Sequence, residues 1–258
     1  MSAGAERRVA LVTGAGSGIG LATARRLRGD GWALVAVDLD DERLGAVHEL
    51  GAGDVVACAA DVSTEAGNTR AVAAALERFG RLDGAVLNAG LGTAGPLETQ
   101  PMDEFDRVLG VNLRGVVLGV RAAAPALRAS RGSVVITASI SGQYGDPRMW
   151  VYNASKGGVL NFARSAAIDL GTDGVRVNAV CPGPIAHTGM TQPLEQLAPD
   201  LYEEMRSHVP LARFGEPDEV AAAIAWLLSD DASFVTGIAL PVDGGITAST
   251  GMMRPGST

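Results

Sequence analysis

At 258 residues, with 47% hydrophobic and 19% charged side chains, the chain has the composition of a globular protein with a large core, and nothing in it marks a linker, so a single α/β domain is expected. A formal net charge of −8 without any Lys/Arg run argues against a nucleic-acid surface, which needs a basic stripe. The N-terminal MSAGAERRVALVTGAG does not read as a signal sequence, and no stretch of about 18 uninterrupted apolar residues occurs, so a soluble, cytoplasmic protein without a membrane span is expected.

After a short N-terminal extension (1–7), the apolar run at 8–12 passes straight into TGAGSGIG and then a helical pattern. Strand, glycine turn and helix are the order a nucleotide site requires. Gly14, Gly18 and Gly20 allow a tight turn and close backbone approach, while the helix N-terminus offers unsatisfied N–H groups to an anion. Their spacing is GxxxGxG, not the commoner GxGxxG. A second buried strand at 33–37 ends at Asp38, whose carboxylate could accept both ribose hydroxyls of an adenosine; capping the next helix would fall to Asp40 or Asp41.

A third strand at 55–59, ending in Asp61 and Val62, precedes an alanine-rich helix at 64–79. A fourth at 84–87 runs into Asn88, Ala89 and Gly90. Such alternation predicts a doubly wound, Rossmann-like, mostly parallel sheet of seven strands with helices on both faces and ligands at the strands' carboxyl ends. Residues 102–128 form a long helical region, in one or two helices, with Asn112 on an apolar face that would normally penalise an amide without a hydrogen-bond partner.

The fifth strand, 133–138, delivers Ser139, and a helix over 151–169 sets Tyr152 and Lys156 at i and i+4 on one face. Taken alone, that pair reads more readily as an ordinary surface Tyr and Lys on a helix, since helices often carry such pairs. A fixed cation beside the phenol would favour the phenolate, and lowering its pKa from ~10 to about 7 takes roughly 4 kcal/mol, which a desolvated lysine together with a cationic cofactor ring could supply. The sixth strand (175–180) leads into CPGPIAHTGM and a long excursion, 183–210, read as a mobile lid and not as a further βα unit. A helix at 221–228, a seventh strand at 238–242 and a tail at 246–258 without clear periodicity complete the chain. Cys58 and Cys181 read as buried free thiols, and His48, His187 and His208 share no metal-ligand spacing with them, so no metal site is expected.

In order, TGAGSGIG, Asp38, Asp61-Val62, the NAG at Asn88, Asn112, Ser139, YNASK at Tyr152, PG at Pro182, and the closing PLARFGEPDEVA, SDDASFVTG and VDGG resemble the short-chain dehydrogenase/reductase family over residues 8–245. The resemblance implies a catalytic tetrad of Asn112, Ser139, Tyr152 and Lys156. Tyr152 would exchange a proton with the substrate oxygen, Ser139 would hydrogen-bond that oxygen, and Lys156 would hold the nicotinamide ribose. Asn112 would hold a water linking Lys156 to solvent. The cofactor would lie against Gly14, Ser17, Gly18, Ile19, Gly20, Asp38, Asp61, Val62, Asn88, Ala89, Gly90, Tyr152, Lys156, Pro182, Gly183, Ile185 and Thr188, with NAD expected because Ser17 and Leu39 offer a 2′-phosphate no cation. The substrate, a small alcohol or ketone, would meet Ser139, Gln143, Tyr144, Met149, Tyr152 and His187, although a histidine on such a loop is more commonly solvent-exposed.

One departure stands out. The family's usual PGxIxT has its threonine at the position of His187, and here Thr188 follows one residue later, able to take the role only if the loop bulges. The resemblance also implies a homotetramer. An NADPH-dependent 3-ketoacyl-type reductase and a non-catalytic dinucleotide sensor are the rival readings; the first lacks its basic residue, and the second would be expected to have lost part of the tetrad.

Overall fold

Along Val9–Thr13 (β1) successive side chains serve two different cores, Val9 and Leu11 one and Ala10 and Val12 the other. The alternation recurs in Ala33–Asp38 (β2), where Ala33, Val35 and Val37 join the first core and Leu34 and Ala36 the second. A strand covered on both faces must be apolar throughout, which is why these runs show no polar alternation. Val55–Ala59 (β3), Gly84–Leu87 (β4), Ser133–Thr137 (β5), Arg176–Pro182 (β6) and Ala239–Val242 (β7) complete a sheet of order β3-β2-β1-β4-β5-β6-β7. Every neighbouring pair is parallel, so the doubly wound architecture expected from the sequence is the one observed. These observations come from a computed structural model that describes residues 7–51 and 53–249; the extension before Arg7 and residues 250–258 of the tail lie outside it.

One face carries Gly18–Gly29 (α1) and Pro217–Leu228 (α8), through Ala24, Leu27, Val220 and Ile224. The other carries Glu65–Phe79 (α2), Val116–Ser130 (α4) and Trp150–Gly171 (α5), through Ala75, Val120, Leu127, Val159 and Ala163. Local signals fix their ends. The Thr64 hydroxyl accepts the Gly67 N–H at 3.0 Å at the start of α2, and Gly80 closes it at φ 74°. Pro217 opens α8 at its first turn, where the Glu219 carboxylate accepts the Glu216 N–H at 2.8 Å.

Among the differences from the sequence reading, three lie near the carboxyl edge of the sheet or the segments that border it. The helical region at 102–128 is Met102–Leu109 (α3), a π-helical turn at Gly110–Gly115, and α4. Among the described residues, Met102–Ser130 is the one helix long and apolar enough to cross a membrane by composition, which inspection for uninterrupted apolar runs did not reveal. Its apolar face is turned into the core, where Val116, Val120, Ala123 and Leu127 are buried. The excursion at 183–210 is not a bare loop: it contains Gln192–Leu197 (α6) and Pro199–Ser207 (α7), neither of which buries a residue fully. Finally, β6 continues two residues beyond the expected end, taking in Cys181 and Pro182.

Candidate active site

The strand order reverses beside β1, which has β2 on one side and β4 on the other. In an open parallel sheet, that switch point opens a crevice at the carboxyl ends. A relay of hydrogen bonds crosses it. The Thr13 hydroxyl accepts from the Asn88 and Ala89 N–H groups at 2.9 and 3.1 Å, and the Asn88 amide donates to the Thr13 carbonyl at 3.1 Å. The Thr137 hydroxyl donates to Asn88 Oδ1 at 3.1 Å, and Lys156 Nζ donates to the Thr137 carbonyl at 2.8 Å. The glycine turn is thereby tied to the Lys156 ammonium through three neighbouring strands. Thr13 and Thr137 were missed by the sequence reading, although each is the one polar side chain closing an apolar strand, a signal that was available.

Ser139 follows β5, while Tyr152 and Lys156 sit in the first turns of α5; their exposures are 8%, 5% and 4%. The bland alternative of a surface Tyr/Lys pair is thus removed. Lys156 Nζ lies 5.7 Å from the Tyr152 ring centroid. The expected lowering of the tyrosine pKa is not what the protein alone produces. Burial pushes the Tyr152 phenol up, the Ser139 hydroxyl opposes that, and the Asp146 carboxylate adds to it. Removing a phenolate from water is the largest cause, and Lys156, itself fully desolvated and depressed to about 8, is not among the groups that offset it; the expected lowering also counted the charge of a bound cofactor ring. Cys181, at the end of β6, is also buried, and its thiol is pushed up to about 11 by desolvation, so it is not a nucleophile at neutral pH.

Asn112 sits in the π turn and is fully buried. Its Oδ1 accepts the Leu91 N–H at 2.7 Å, and its Nδ2 donates to the Leu91 carbonyl at 2.9 Å and to the Ser155 hydroxyl at 3.1 Å. The side chain thus holds the loop after β4 against α5. It remains next to the reactive cluster: a Cβ on Gly90 would lie 3.4 Å from both Asn112 Oδ1 and Lys156 Nζ.

At the other end of the crevice, Gly14 and Gly18 adopt left-handed φ values of 64° and 49°, and a Cβ on Gly20 would sit 1.9 Å from the Gly14 carbonyl oxygen. Gly16, absent from the sequence-based set, is equally constrained, since a Cβ there would lie 2.3 Å from the Arg43 carbonyl oxygen. Ser17 starts α1 without a side-chain cap, and no acidic residue occupies the first turn, where Ile19 also lies. The N-terminus is left for an external anion. Asp38 closes β2 and braces the turn, its Oδ2 accepting the Gly16 N–H at 2.9 Å and its Oδ1 the Leu39 N–H at 2.8 Å. Arg43 N–H bonds Asp40 Oδ1 at 3.0 Å within a turn, but the next helix, the 3-10 helix Gly45–Leu50, has Leu44 at its N-cap and no side-chain cap, so the capping expected of Asp40 or Asp41 is not found. Asp61 similarly accepts the Ser63 N–H at 2.9 Å, and the Val62 carbonyl accepts Asn68 Nδ2 at 2.7 Å.

The loop after Pro182 bulges as the threonine shift demands. His187 absorbs the extra residue at φ 56°, and Thr188 returns to the glycine turn, its Cγ2 within 3.5 Å of a Cβ position on Gly18. The Thr188 hydroxyl is also held by Thr191 at 2.9 Å and the Ile185 carbonyl at 3.3 Å. His187 itself is exposed, its Nε2 3.9 Å from Glu216. Gln143 and Tyr144 are exposed and Met149 is half-buried, all between Ser139 and Tyr152. Gly183 packs on Asp243, whose Cα would be 2.8 Å from a Cβ there.

A family model described as Enoyl-(Acyl carrier protein) reductase matches residues 14–247. A meso-2,3-butanediol dehydrogenase of Serratia marcescens is 40% identical over 250 residues, covering 96% of this chain and 98% of that protein. The chain belongs to the short-chain dehydrogenase/reductase family. The crystal structure of levodione reductase superposes with a TM-score of 0.89 at 42% identity, over 94% of this chain and 98% of that one. A 3-ketoacyl-(acyl-carrier-protein) reductase from Brucella melitensis, complexed with NADH, gives 0.86 at 36% identity over 94% and 99%. The protein is accordingly an oxidoreductase of this family, as the ordered motifs implied.

Proposed function

We propose that the protein interconverts secondary alcohols and ketones with NAD(H), using Tyr152 as the proton-transferring group. The observation that carries this reading is the buried cluster of Ser139, Tyr152 and Lys156 at the carboxyl edge, joined by hydrogen bonds to a glycine turn that ends at an uncapped helix. Relatives named for alcohol and ketone chemistry, and one related structure complexed with NADH, support it.

The crevice fits a dinucleotide. Gly14, Gly16 and Gly20 let the turn fold tightly on itself and on Asn88, Ala89 and Arg43, where no Cβ would fit, the α1 N-terminus with Ser17, Gly18 and Ile19 suits a pyrophosphate, and Asp38 suits ribose hydroxyls. Asp61 and Val62 would flank the adenine, Asn88, Ala89 and Gly90 the middle, and Pro182, Gly183, Ile185 and Thr188 the nicotinamide. When bound, the nicotinamide carries the hydride. The chain's own residues handle the proton and the substrate oxygen. A phenol with a raised pKa keeps its proton at neutral pH, which suits Tyr152 to donate to a carbonyl oxygen in the reducing direction. Ser139 supplies a second hydrogen bond to that oxygen. Lys156, anchored on Thr137, keeps its charge directed into the site, and Asn112 acts as a positioning residue through Leu91 and Ser155.

Residues 183–210 are assigned as the lid over this crevice, and the chain as one functional domain. Cytoplasmic placement and a homotetramer complete the reading, the latter supported by the exposed apolar side chains Ile168 and Phe234. The deciding experiment is a turnover screen with NAD and NADH over secondary alcohols and ketones, alongside light scattering for the assembly. Absence of turnover across the panel, or a monomer mass at micromolar concentration, would refute the respective part.

A further inference from the structure

Ser139 is held by more than its place after β5. It caps a short 3-10 turn, Ile140–Gly142, its hydroxyl accepting the Ser141 N–H at 3.1 Å and its carbonyl the Gly142 N–H at 3.0 Å. With one acceptor position of the hydroxyl taken by a backbone donor, its proton stays free to be given to another oxygen. The Ile140 carbonyl accepts the Gln143 and Tyr144 N–H groups at 2.8 and 3.0 Å, so the turn is a closed unit that carries Ser139 with it.

That unit rests on α5 at one point. A Cβ on Gly142 would lie 2.7 Å from both the carbonyl carbon and the carbonyl oxygen of Lys156, and 3.0 Å from Leu160 Cδ1. Across the seam Gly157 is equally bare, its Cβ position 3.5 Å from the Gly142 carbonyl oxygen. Two stretches of backbone therefore meet directly, one carrying Ser139 and the other Tyr152 and Lys156. The helix is the less yielding of the two, since Val151, Ser155, Val159 and Leu160 are buried and its first turns are tied to Asn112 through Ser155 and to Thr137 through Lys156. An atom added at position 142 must lift the turn. Raising 2.7 Å to the 3.4 Å at which ordinary contact begins is a displacement of about 0.7 Å. Between reacting groups, a misplacement of that order costs roughly 10- to 10²-fold in rate.

We propose that Gly142 is a positioning residue of this active site: its missing side chain lets the 3-10 turn seat directly on the Lys156 backbone, and that contact sets the spacing between the Ser139 hydroxyl and the Tyr152 phenol. The kinetic consequence rests on the alcohol/ketone reading above; the spacing itself does not.

The test pairs Gly142→Ala with Gly145→Ala in the full chain. Gly145 lies in the same segment without a left-handed φ, and a Cβ there meets no described atom within 4 Å, so its variant controls for the change of glycine to alanine. Gly142→Ala is expected to lower kcat by about tenfold or more while KM for NAD and NADH affinity stay within about twofold, and Gly145→Ala to keep the wild-type values. In a Ser139→Ala background Gly142→Ala should add no further loss, because its effect passes through that hydroxyl. An unchanged kcat in Gly142→Ala, an equal loss in Gly145→Ala, or the same loss with and without Ser139 overturns the proposal.

A readout without turnover separates this from the alcohol/ketone reading. Ser139 acts on the Tyr152 phenol against the effect of burial, so lifting Ser139 away changes the hydrogen bonding of the phenol oxygen. With only Tyr144, Tyr152 and Tyr202 in the chain, the Tyr152 ¹³Cζ resonance of the labelled protein can be assigned with Tyr152→Phe. A shift of that resonance in Gly142→Ala, absent in Gly145→Ala, supports the spacing role even as the activity reading falls; an unmoved resonance overturns it. If Gly142→Ala does not fold, Leu160→Val loosens the same seam without a clash. It should shift the same resonance, and a wild-type spectrum there overturns the proposal.

Discussion

Lys156 donates its ammonium to the carbonyl of Thr137 at 2.8 Å, so the cation beside the Tyr152 ring is held by the backbone of the very strand that delivers Ser139. The two residues are nineteen apart in sequence, yet this bond fixes the first turns of α5 against the end of β5.

Replacing Tyr152 by Phe should remove the transferable proton while preserving the packing of the ring. Loss of a general acid/base is expected to lower kcat by at least ~10²-fold. NADH affinity, followed by fluorescence titration, should change little. A variant that keeps most of the wild-type rate would show that another group moves the proton.

Burial of Lys156 should be visible in stability. Its folded-state pKa of about 8 lies below the ordinary 10.5, so between these values the unfolded chain binds more protons and this group makes stability rise with pH. Below pH 8 both states are protonated, and the cost of burying the ammonium is present in full, up to roughly 3 kcal/mol at about 1.4 kcal/mol per unit. Lys156→Met should therefore be more stable than wild type at pH 7, with the gap closing towards pH 10. Urea unfolding of the two proteins across that range checks it; a gap independent of pH would contradict the assignment.

Cofactor choice should turn on Asp38 and Leu39. A 2′-phosphate carries roughly −1.5 to −2 charge at pH 7, and repulsion from a carboxylate at about 4 Å is on the order of 4 kcal/mol per unit charge at an effective dielectric near 20, an upper range before screening. Leu39 is 57% exposed, which leaves room for an arginine. Asp38→Ala with Leu39→Arg should lower kcat/KM for NAD and raise it for NADP. Equal use of both cofactors by the wild type would remove Asp38 from the ribose.

The one-residue shift after Pro182 is accommodated at a cost that a substitution can recover. A histidine at φ 56° lies in the left-handed region, where a side chain costs about 1 kcal/mol relative to glycine. His187→Gly should raise Tm by a few degrees, since about 1 kcal/mol shifts a chain of this size by ~2–4 °C. It should leave kcat within about twofold, because the imidazole sits on the surface by Glu216. Thr188→Val, by contrast, should weaken NAD binding with little change in Tm. Scanning calorimetry and NAD titration of the pair separate the two positions, and a reversal of these effects would return His187 to the site.

Most of the sheet was legible because a parallel strand buried on both faces leaves an unbroken apolar run, and Ala33, Val35 and Val37 could not be mistaken for a solvated edge. The candidate reactive residues were named through the family resemblance, helped by Ser139 following a strand and Tyr152 standing in the first turn of a helix. What escaped depended on contacts between distant segments. Asn112 bonding to Leu91, Thr13 to Asn88 and Gly16 crowding Arg43 are made by the fold and leave no local pattern. The raised tyrosine pKa of the protein alone could not be read for the same reason: spacing on a helix shows that two groups are close, but the balance between desolvation and charge depends on what surrounds them both.

The π turn at Gly110–Gly115 acts as a phase shifter in an otherwise continuous helix. An α-helix advances about 100° per residue, so one extra residue in a turn rotates everything beyond it by that angle. Upstream, Phe105 is aimed at Trp150; downstream, Val116, Val120 and Leu127 are aimed at the sheet, and a uniform helix would offer these two sets a different relative orientation. Asn112 rides at the point where the phase changes. The length of that turn, more than the identity of most residues in it, is what keeps the β4 loop and the start of α5 in register with each other.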